Sequence, residues 1–218
     1  MRFGKVKIGS ATNRLLQGLG LSRRDVSDAA LAALERLAAE RESLAERLAA
    51  AEALADRDAL APVLNRRAFM RELHRTMSEV ERYRTPAAVL YLDLDGFKAL
   101  NDSYGHAAGD AVLRHVGLML LDSVRESDVV GRLGGDEFGV ILNRATADEA
   151  HAKAAALSEK LNSAVILHEG MAHRVRASFG AHAIALVEDP ETAVARADEA
   201  MYADKFARRQ QAQAFASF

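Results

Sequence analysis

Two pairs of acidic residues carry the chemical interest of this chain. Asp93-Leu94-Asp95 closes the apolar run Ala87-Ala88-Val89-Leu90-Tyr91-Leu92, and Asp136-Glu137 follows the glycines Gly134-Gly135. A turn ordinarily carries one short polar residue to satisfy its own backbone. Two adjacent anions repel each other, an arrangement that makes sense where a divalent cation sits between or beside them. Asp93 and Asp95 stand two apart, so if the strand continues their side chains share a face. They also sit at the carboxyl end of a buried strand, where α/β proteins tend to place ligands. Each pair alone also reads as a capping or solvated turn feature. Brought together, Asp93, Asp136 and the Leu94 carbonyl would offer few protein oxygens and leave room for substrate oxygens, the pattern of Mg²⁺ at a nucleoside triphosphate.

The elements that must position these acids follow from periodicity. Val129, Val130 and Leu133 lead into Gly134-Gly135, and Phe138, Val140 and Leu142 alternate on the way out, which predicts a β-hairpin. Asn65 is an N-cap for a helix with Phe69, Leu73, Met77 and Val80 on one face, ended by Pro86. A second helix is expected over about 107–124, burying Val112, Leu113, Val116, Leu120 and Val124. Thr146 and Glu149 form a capping box for a third, whose face is Ala150, Ala154, Leu157 and Leu161. Val165 to His168 and Arg174 to Ile184, separated by Glu169-Gly170, read as a second hairpin. The last helix opens at Asp189-Pro190 and carries Ala197, Met201, Lys205 and Arg209 along one side. Helices interleaved with hairpins predict an α/β (α+β) domain with a mainly antiparallel sheet covered by helices.

Ahead of this domain, residues 1 to about 20 carry several glycines and no firm periodicity, and are expected to be poorly ordered or loosely helical. From Ser22 to Arg57 the composition turns to Ala, Leu, Glu and Arg without Gly or Pro. Ala30, Leu34, Leu37, Arg41, Leu44, Leu48, Ala51 and Ala55 recur in steps of four and three, a heptad seam over roughly four heptads that predicts a parallel two-stranded coiled coil. An amphipathic helix lying on its own domain is the competing reading. The expected organisation is therefore 1–57 for the N-terminal segment and dimerising helix, 58–210 for the globular domain and 211–218 for a tail.

Composition narrows the class. The 218 residues are 50% hydrophobic, enough for one core plus an extension. A formal charge of −2 argues against a nucleic-acid polymer as partner. With no cysteine, disulfides, thiolate metal sites and cysteine nucleophiles are excluded, and the seven histidines lack zinc-helix spacing. No apolar run reaches the roughly 20 residues of a membrane span, and the basic start Met1 to Lys7 leads into no signal region. A cytoplasmic location is the expectation.

Taken in order, Asp93-Leu94-Asp95-Gly96-Phe97-Lys98, Asn101-Asp102, Gly105-His106, Gly109-Asp110 and Gly134-Gly135-Asp136-Glu137-Phe138 closely resemble the GGDEF-domain diguanylate cyclases, over roughly residues 58–210. That resemblance implies an enzyme condensing two GTP into cyclic di-GMP. It implies Mg²⁺, with Mn²⁺ as the alternate ion, held by Asp93, Asp136 and the Leu94 backbone oxygen. Glu137 then either deprotonates the attacking 3′-hydroxyl or binds metal, and both roles stay open. Gly134 and Gly135 let nucleotide approach the backbone. Asn101 and Asp110 resemble the guanine-reading pair, a carboxylate being able to accept from both N1–H and the 2-amino group. Phe97 and Lys98 belong to the substrate-binding run, and Lys205 and Arg209 match the phosphate-binding cations of the last helix. Arg125 and Asp128 match the product-inhibition site, where Arg grips phosphate and guanine edges and Asp reads guanine. His106 is expected to pack or hydrogen-bond in its loop. Because one domain holds one GTP, the family works as a dimer with two domains facing each other, and the coiled coil would supply that dimer.

Two departures stand out. The family's usual entrance, Asp-x-Leu-Thr-Gly-Leu-x-Asn-Arg-Arg, appears here as Asp58-Ala59-Leu60-Ala61-Pro62-Val63-Leu64-Asn65-Arg66-Arg67, which bears on the hinge between the helix and the domain. The usual Gly-Arg-Asn ending is Arg208-Arg209-Gln210. Two readings from other classes stand beside the enzyme: a catalytically silent module that senses GTP or cyclic di-GMP, and a structural coiled-coil adaptor. The intact signature acids argue against both.

Overall fold

Short, largely apolar runs build a four-stranded antiparallel sheet in the computed structural model, which describes residues 10–216. Its strands are β1 (Ala87–Asp95), β2 (Val129–Arg132), β3 (Glu137–Asn143) and β6 (Arg176–Ala183), in the order β2-β3-β1-β6. The helices of this unit are α3 (Arg66–Tyr83), α4 (Phe97–Tyr104), α5 (His106–Leu121), α6 (Ala147–Ser163) and α7 (Pro190–Ala216). A small separate hairpin pairs β4 (Ile166–His168) with β5 (Met171–His173).

The central strand β1 is buried on both faces, so its side chains sort into two cores. Ala88, Leu90, Leu92 and Leu94 face Val112, Val116 and Leu120 of α5 and Leu157 and Leu161 of α6. Ala87, Val89 and Tyr91 face Phe69, Leu73 and Met77 of α3 and Ala197 and Met201 of α7. The second face is the one that matters chemically, because Asp93 and Asp95 continue it.

Close approach on that face depends on glycine. Across the sheet, Tyr91 lies opposite Gly139 on one side and Gly180 on the other. A Cβ at Gly180 would come within 2.0 Å of the Ala197 carbonyl oxygen and 2.3 Å of the Met201 nitrogen, so α7 rests its backbone directly on β6. At Gly139 a Cβ would meet the Phe69 ring at 2.5 Å.

Several expected caps are in place. The Asn65 side chain accepts from the Ala68 amide at 3.0 Å, and Thr146 with Glu149 forms the reciprocal box of α6. Asp189 Oδ1 accepts from the Thr192 amide at 2.8 Å. Three expectations need correction. The region 107–124 is one helix only to Leu121, and a separate short helix, α4, precedes it, divided from α5 by Gly105 with φ +82°. Val124 lies past the helix end, partly buried against the core. The second hairpin is shorter and differently paired: Glu169 (φ +49°) and Gly170 (φ +78°) turn β4 back onto β5, while Arg176–Ala183 joins the central sheet beside β1. The physical reason is burial, since Ala177 and Phe179 are apolar enough to line the main core. Residues 211–216, expected as a tail, continue α7.

The chain divides into two compact units after Ala55. In the first, α1 (Ser10–Gly18) precedes α2 (Asp28–Ala55). Thr12, Leu16, Leu31 and Ala38 are buried there. Of the segment expected to be poorly ordered or loosely helical, Ser10–Gly18 is helical, while residues 1–9 lie outside the described residues. Along α2 the heptad positions Leu37, Leu44 and Leu48 are 60%, 54% and 60% exposed. Among the described residues no helix is long and apolar enough to cross a membrane.

Candidate active site

Register alone brings four polar side chains to one face. Asp93 pairs with Glu137 on β3 and with Ser178 on β6, and Asp95 lies two residues further along the same face. From α7, which rests on Gly180, Lys205 reaches down to this cluster. Its ammonium donates to Asp93 and lies 2.9 Å from Asp95 Oδ1. Burial disfavours the charge of Lys205, but the hydrogen bonds to Asp93 and Asp95 outweigh it and hold the ammonium pKa above its usual value. Ser178, 1% exposed, donates its hydroxyl to Asp95, with oxygen separations of 3.2 and 3.0 Å.

Asp136 sits in the tight loop joining β2 and β3. Its carbonyl accepts from the Leu94 amide at 3.2 Å, which ties the loop to the end of β1. In a strand the N–H and C=O of one residue point to the same edge, so the Leu94 carbonyl is directed toward that loop as well. Burial, and then the negative charge of Asp93, push the Asp136 carboxyl above the ordinary range. Asp93 and Asp136 are therefore electrostatic neighbours at the end of β1. Glu137 lies over Gly134, where a Cβ would meet Oε2 at 2.1 Å. Gly135 has open space around it.

The donor chemistry fits a hard divalent cation. Asp93 and Asp136 repel each other, and in the protein alone a cation already rests on Asp93, the Lys205 ammonium. Two carboxylates and one carbonyl would leave further positions to water and phosphate oxygens. Among the described residues no three acidic or histidine side chains converge as a self-sufficient metal cage.

On the far side of Gly96, the guanine-type candidates lie on adjacent helices. Asn101 is on α4 and Asp110 on α5. Asn101 Oδ1 is buried with no hydrogen-bond partner, and it occupies space that only glycine at 109 leaves free, since a Cβ there would stand 1.9 Å away. An orphaned buried acceptor calls for a ligand carrying N–H groups. The Phe97 ring borders the same spot, 3.1 Å from that hypothetical Cβ, while Lys98 is exposed. His106 is exposed at the start of α5. Arg209 belongs to α7, but its side chain lies outside the described residues.

Arg125 and Asp128, the expected product-inhibition pair, lie together before β2. Asp128 is engaged by the backbone: Oδ2 accepts from the Arg125 amide at 3.0 Å and Oδ1 from the Asn143 amide at 3.1 Å. Both residues border a cavity of about 340 Å³ whose other charged lining residues are Arg144, Glu149 and Lys153.

Several supporting residues escaped the sequence reading. Arg132 donates from Nε and Nη2 to the Gly135 carbonyl at 3.1 and 2.6 Å, and from Nη1 to Asp58 at 3.0 Å. Arg66 donates to the Leu133 carbonyl at 3.0 Å. The buried Tyr91 hydroxyl is held un-ionised by burial and by its hydrogen bond to Glu137. Asp198 has its carboxyl pushed up by burial and then by Glu137 and Asp93. For Asp198 a signal existed: it precedes Lys205 by two helical turns, so both lie on one side of α7. Ser178 had none, since nothing in its neighbourhood marks the strand position.

Residues 55–211 match the family model described as "Diguanylate cyclase, GGDEF domain". The probable diguanylate cyclase DgcE of Escherichia coli (strain K12) is 41% identical over 145 residues, covering 65% of this chain and 13% of that protein. Diguanylate cyclase A of Treponema denticola is 36% identical over 137 residues, 62% of this chain and 37% of the relative. The chain thus spans well under half the length of these curated relatives. Among solved structures, the coiled coil and GGDEF domain of DgcB from Caulobacter crescentus, in complex with c-di-GMP, superposes with a TM-score of 0.73 at 30% identity, covering 81% of this chain and 94% of that one.

Proposed function

This chain belongs to the GGDEF-domain diguanylate cyclase family, and on that premise we propose that it condenses two GTP molecules into cyclic di-GMP and two diphosphates in a Mg²⁺-dependent reaction, Mn²⁺ serving as the alternate ion. The observation that carries this is the convergence of Asp93, Glu137 and Lys205 on one sheet face, with Asp136 beside them.

Each domain would hold one GTP. Asp93, Asp136 and the Leu94 carbonyl would hold the metal, which when bound supplies charge neutralisation at the phosphates and acidifies the 3′-hydroxyl. Lys205 and Arg209 bind the phosphate tail, and Phe97 and Lys98 border the nucleotide. Asn101 Oδ1 and the Asp110 carboxylate accept from the guanine N1–H and 2-amino groups, a donor set adenine lacks. Gly134 and Gly135 leave the loop bare enough for phosphate to lie against it. The 3′-oxygen of one GTP attacks the α-phosphorus of the other, its proton leaves, and the bond to diphosphate breaks; the same exchange in the other direction closes the ring. Glu137 would take that proton or add a further metal ligand. Most of the acceleration comes from positioning and charge stabilisation.

Because each nucleotide attacks its counterpart, two domains must face one another. The exposed seam Leu37, Leu44 and Leu48 supports pairing of two chains through α2, a homodimer by coiled coil. Tethering of this kind raises the local concentration of the two domains to about the millimolar range. Arg125 and Asp128, which line the mixed-charge cavity, form the product-binding inhibitory site, and cyclic di-GMP there would hold the domains apart. The substrate is GTP, so the reaction belongs in the cytoplasm. The test is direct: purified chain, GTP and Mg²⁺, with cyclic di-GMP and diphosphate measured together. Formation of both in a one-to-two ratio is expected. Tight cyclic di-GMP binding without turnover would replace this reading with a silent sensor.

A further inference from the structure

The reaction as proposed uses Asp93 and Lys205 in opposing ways. Asp93 must face a metal and Lys205 must face phosphate, yet the two are paired to each other. Whatever frees Asp93 must therefore displace the ammonium without losing it. Asp95 solves this problem. It lies 2.9 Å from the same ammonium, on the same face and one pleat further along the strand. Asp95 is in turn fixed from β6 by the hydroxyl of Ser178, which contacts both carboxylate oxygens from a position 1% exposed to solvent. Ser178 stands opposite Asp93 in the ladder, and the contacts run from Ser178 to Asp95, from Asp95 to Lys205 and from Lys205 to Asp93.

The geometry points to Asp95, braced by Ser178, as the positioning residue for Lys205: it retains the ammonium at the site when Asp93 turns to the metal, while in the protein without metal Lys205 occupies Asp93 as a placeholder cation. This rests on the cyclase reading for the identity of the phosphate ligand, but the placeholder contact is a property of the chain itself. Lys205 would then yield Asp93 to a bound metal and, held by Asp95, turn its ammonium to the phosphates. A hydroxyl buried on a carboxylate that touches no substrate acts as an outer support, whose removal commonly costs about tenfold in affinity or activity.

The test uses the full chain and two probes, Mn²⁺ alone and a GTP analogue with a methylene bridge between the α- and β-phosphates. Lys205→Met is expected to tighten Mn²⁺ binding without nucleotide several-fold while weakening the analogue. Ser178→Ala and Asp95→Asn are expected to weaken the analogue about tenfold. Ser178→Thr, which keeps the hydroxyl, restores binding. In the Lys205→Met background Ser178→Ala changes analogue affinity no further, because its effect runs through the lysine. If Asp95→Asn fails to fold, the Ser178→Ala and Ser178→Thr pair carries the test. Unchanged or weaker Mn²⁺ binding in Lys205→Met overturns the inference, as does an equal loss from Ser178→Ala with and without Lys205. Failure of the wild-type chain to bind the analogue at all would sink the cyclase reading, while the Mn²⁺ arm would still decide the placeholder contact.

Discussion

Replacing Gly180 by alanine tests whether the site depends on how closely α7 lies on the sheet. The added Cβ would stand 2.0 Å from the Ala197 carbonyl oxygen and 2.3 Å from the Met201 nitrogen. Both are backbone atoms, so no side chain can swing aside, and reaching the 3.4 Å of ordinary contact requires a displacement of 3.4 − 2.0 = 1.4 Å. Overpacking of this kind costs about 3 kcal/mol, the upper end of the usual range, because backbone must move. For a chain of this size that corresponds to a fall in Tm of about 6–12 °C. Lys205 lies one turn beyond Met201 and moves with the helix. A displacement along the Lys205–Asp95 direction would stretch the 2.9 Å contact to roughly 4.3 Å, past ion-pair range. Misplacement by about 1 Å at a reacting centre can cost about 10²-fold in rate. Thermal unfolding and the rate of cyclic di-GMP formation, measured on the same preparation, check both parts. Gly18→Ala is the control, since a Cβ there meets nothing within 4 Å; its Tm should match or slightly exceed wild type. Wild-type Tm and wild-type turnover in Gly180→Ala would refute the reasoning.

Three further outcomes follow from the same structure. Removing residues 1–55, which leaves Asp56 to pair with Arg71 at 2.6 Å, should lower specific activity and make it rise steeply with protein concentration; activity independent of concentration in the nanomolar range would count against tethering. Arg125→Ala should abolish inhibition by added cyclic di-GMP with little change in Tm, whereas Asp128→Ala should also destabilise the fold by about 1–3 kcal/mol, because two backbone amides lose their acceptor; calorimetric titration and thermal melts separate the two. Burial works to raise the Asp58 carboxyl, but the Ala61 and Leu60 amides and Arg132 outweigh it and hold the pKa below its ordinary value. Such a group adds stability above its unfolded pKa near 4, and that stability is lost as pH falls through the lower folded pKa. Tm should therefore drop on acidification below about pH 4, and Asp58→Asn should be less stable at neutral pH with a shallower drop.

Local rules reached most of the elements in this protein and stopped at their partners. Asn65, Thr146 with Glu149, and Asp189 cap helices because a cap needs only its own next few residues. The hairpin around Gly134-Gly135 was legible from alternation and turn chemistry, Asp136 and Glu137 from the mutual repulsion of adjacent anions, and Asp93 from its place at the end of a buried strand. Val165 to Ile184 misled because proximity in sequence favours a hairpin, whereas Ala177 and Phe179 bury more by pairing with β1. Likewise Lys205 lies 112 positions from Asp93, and Ser178 lies 83 from Asp95. What the sequence determined by itself, then, was the family of chemistry: carboxylates, glycines and cations at spacings each set by one strand, turn or helix. Only the tertiary structure decided which cation rests on which acid, because register across four strands and the approach of α7 over Gly180 are properties of packing between distant segments, and no local period encodes them.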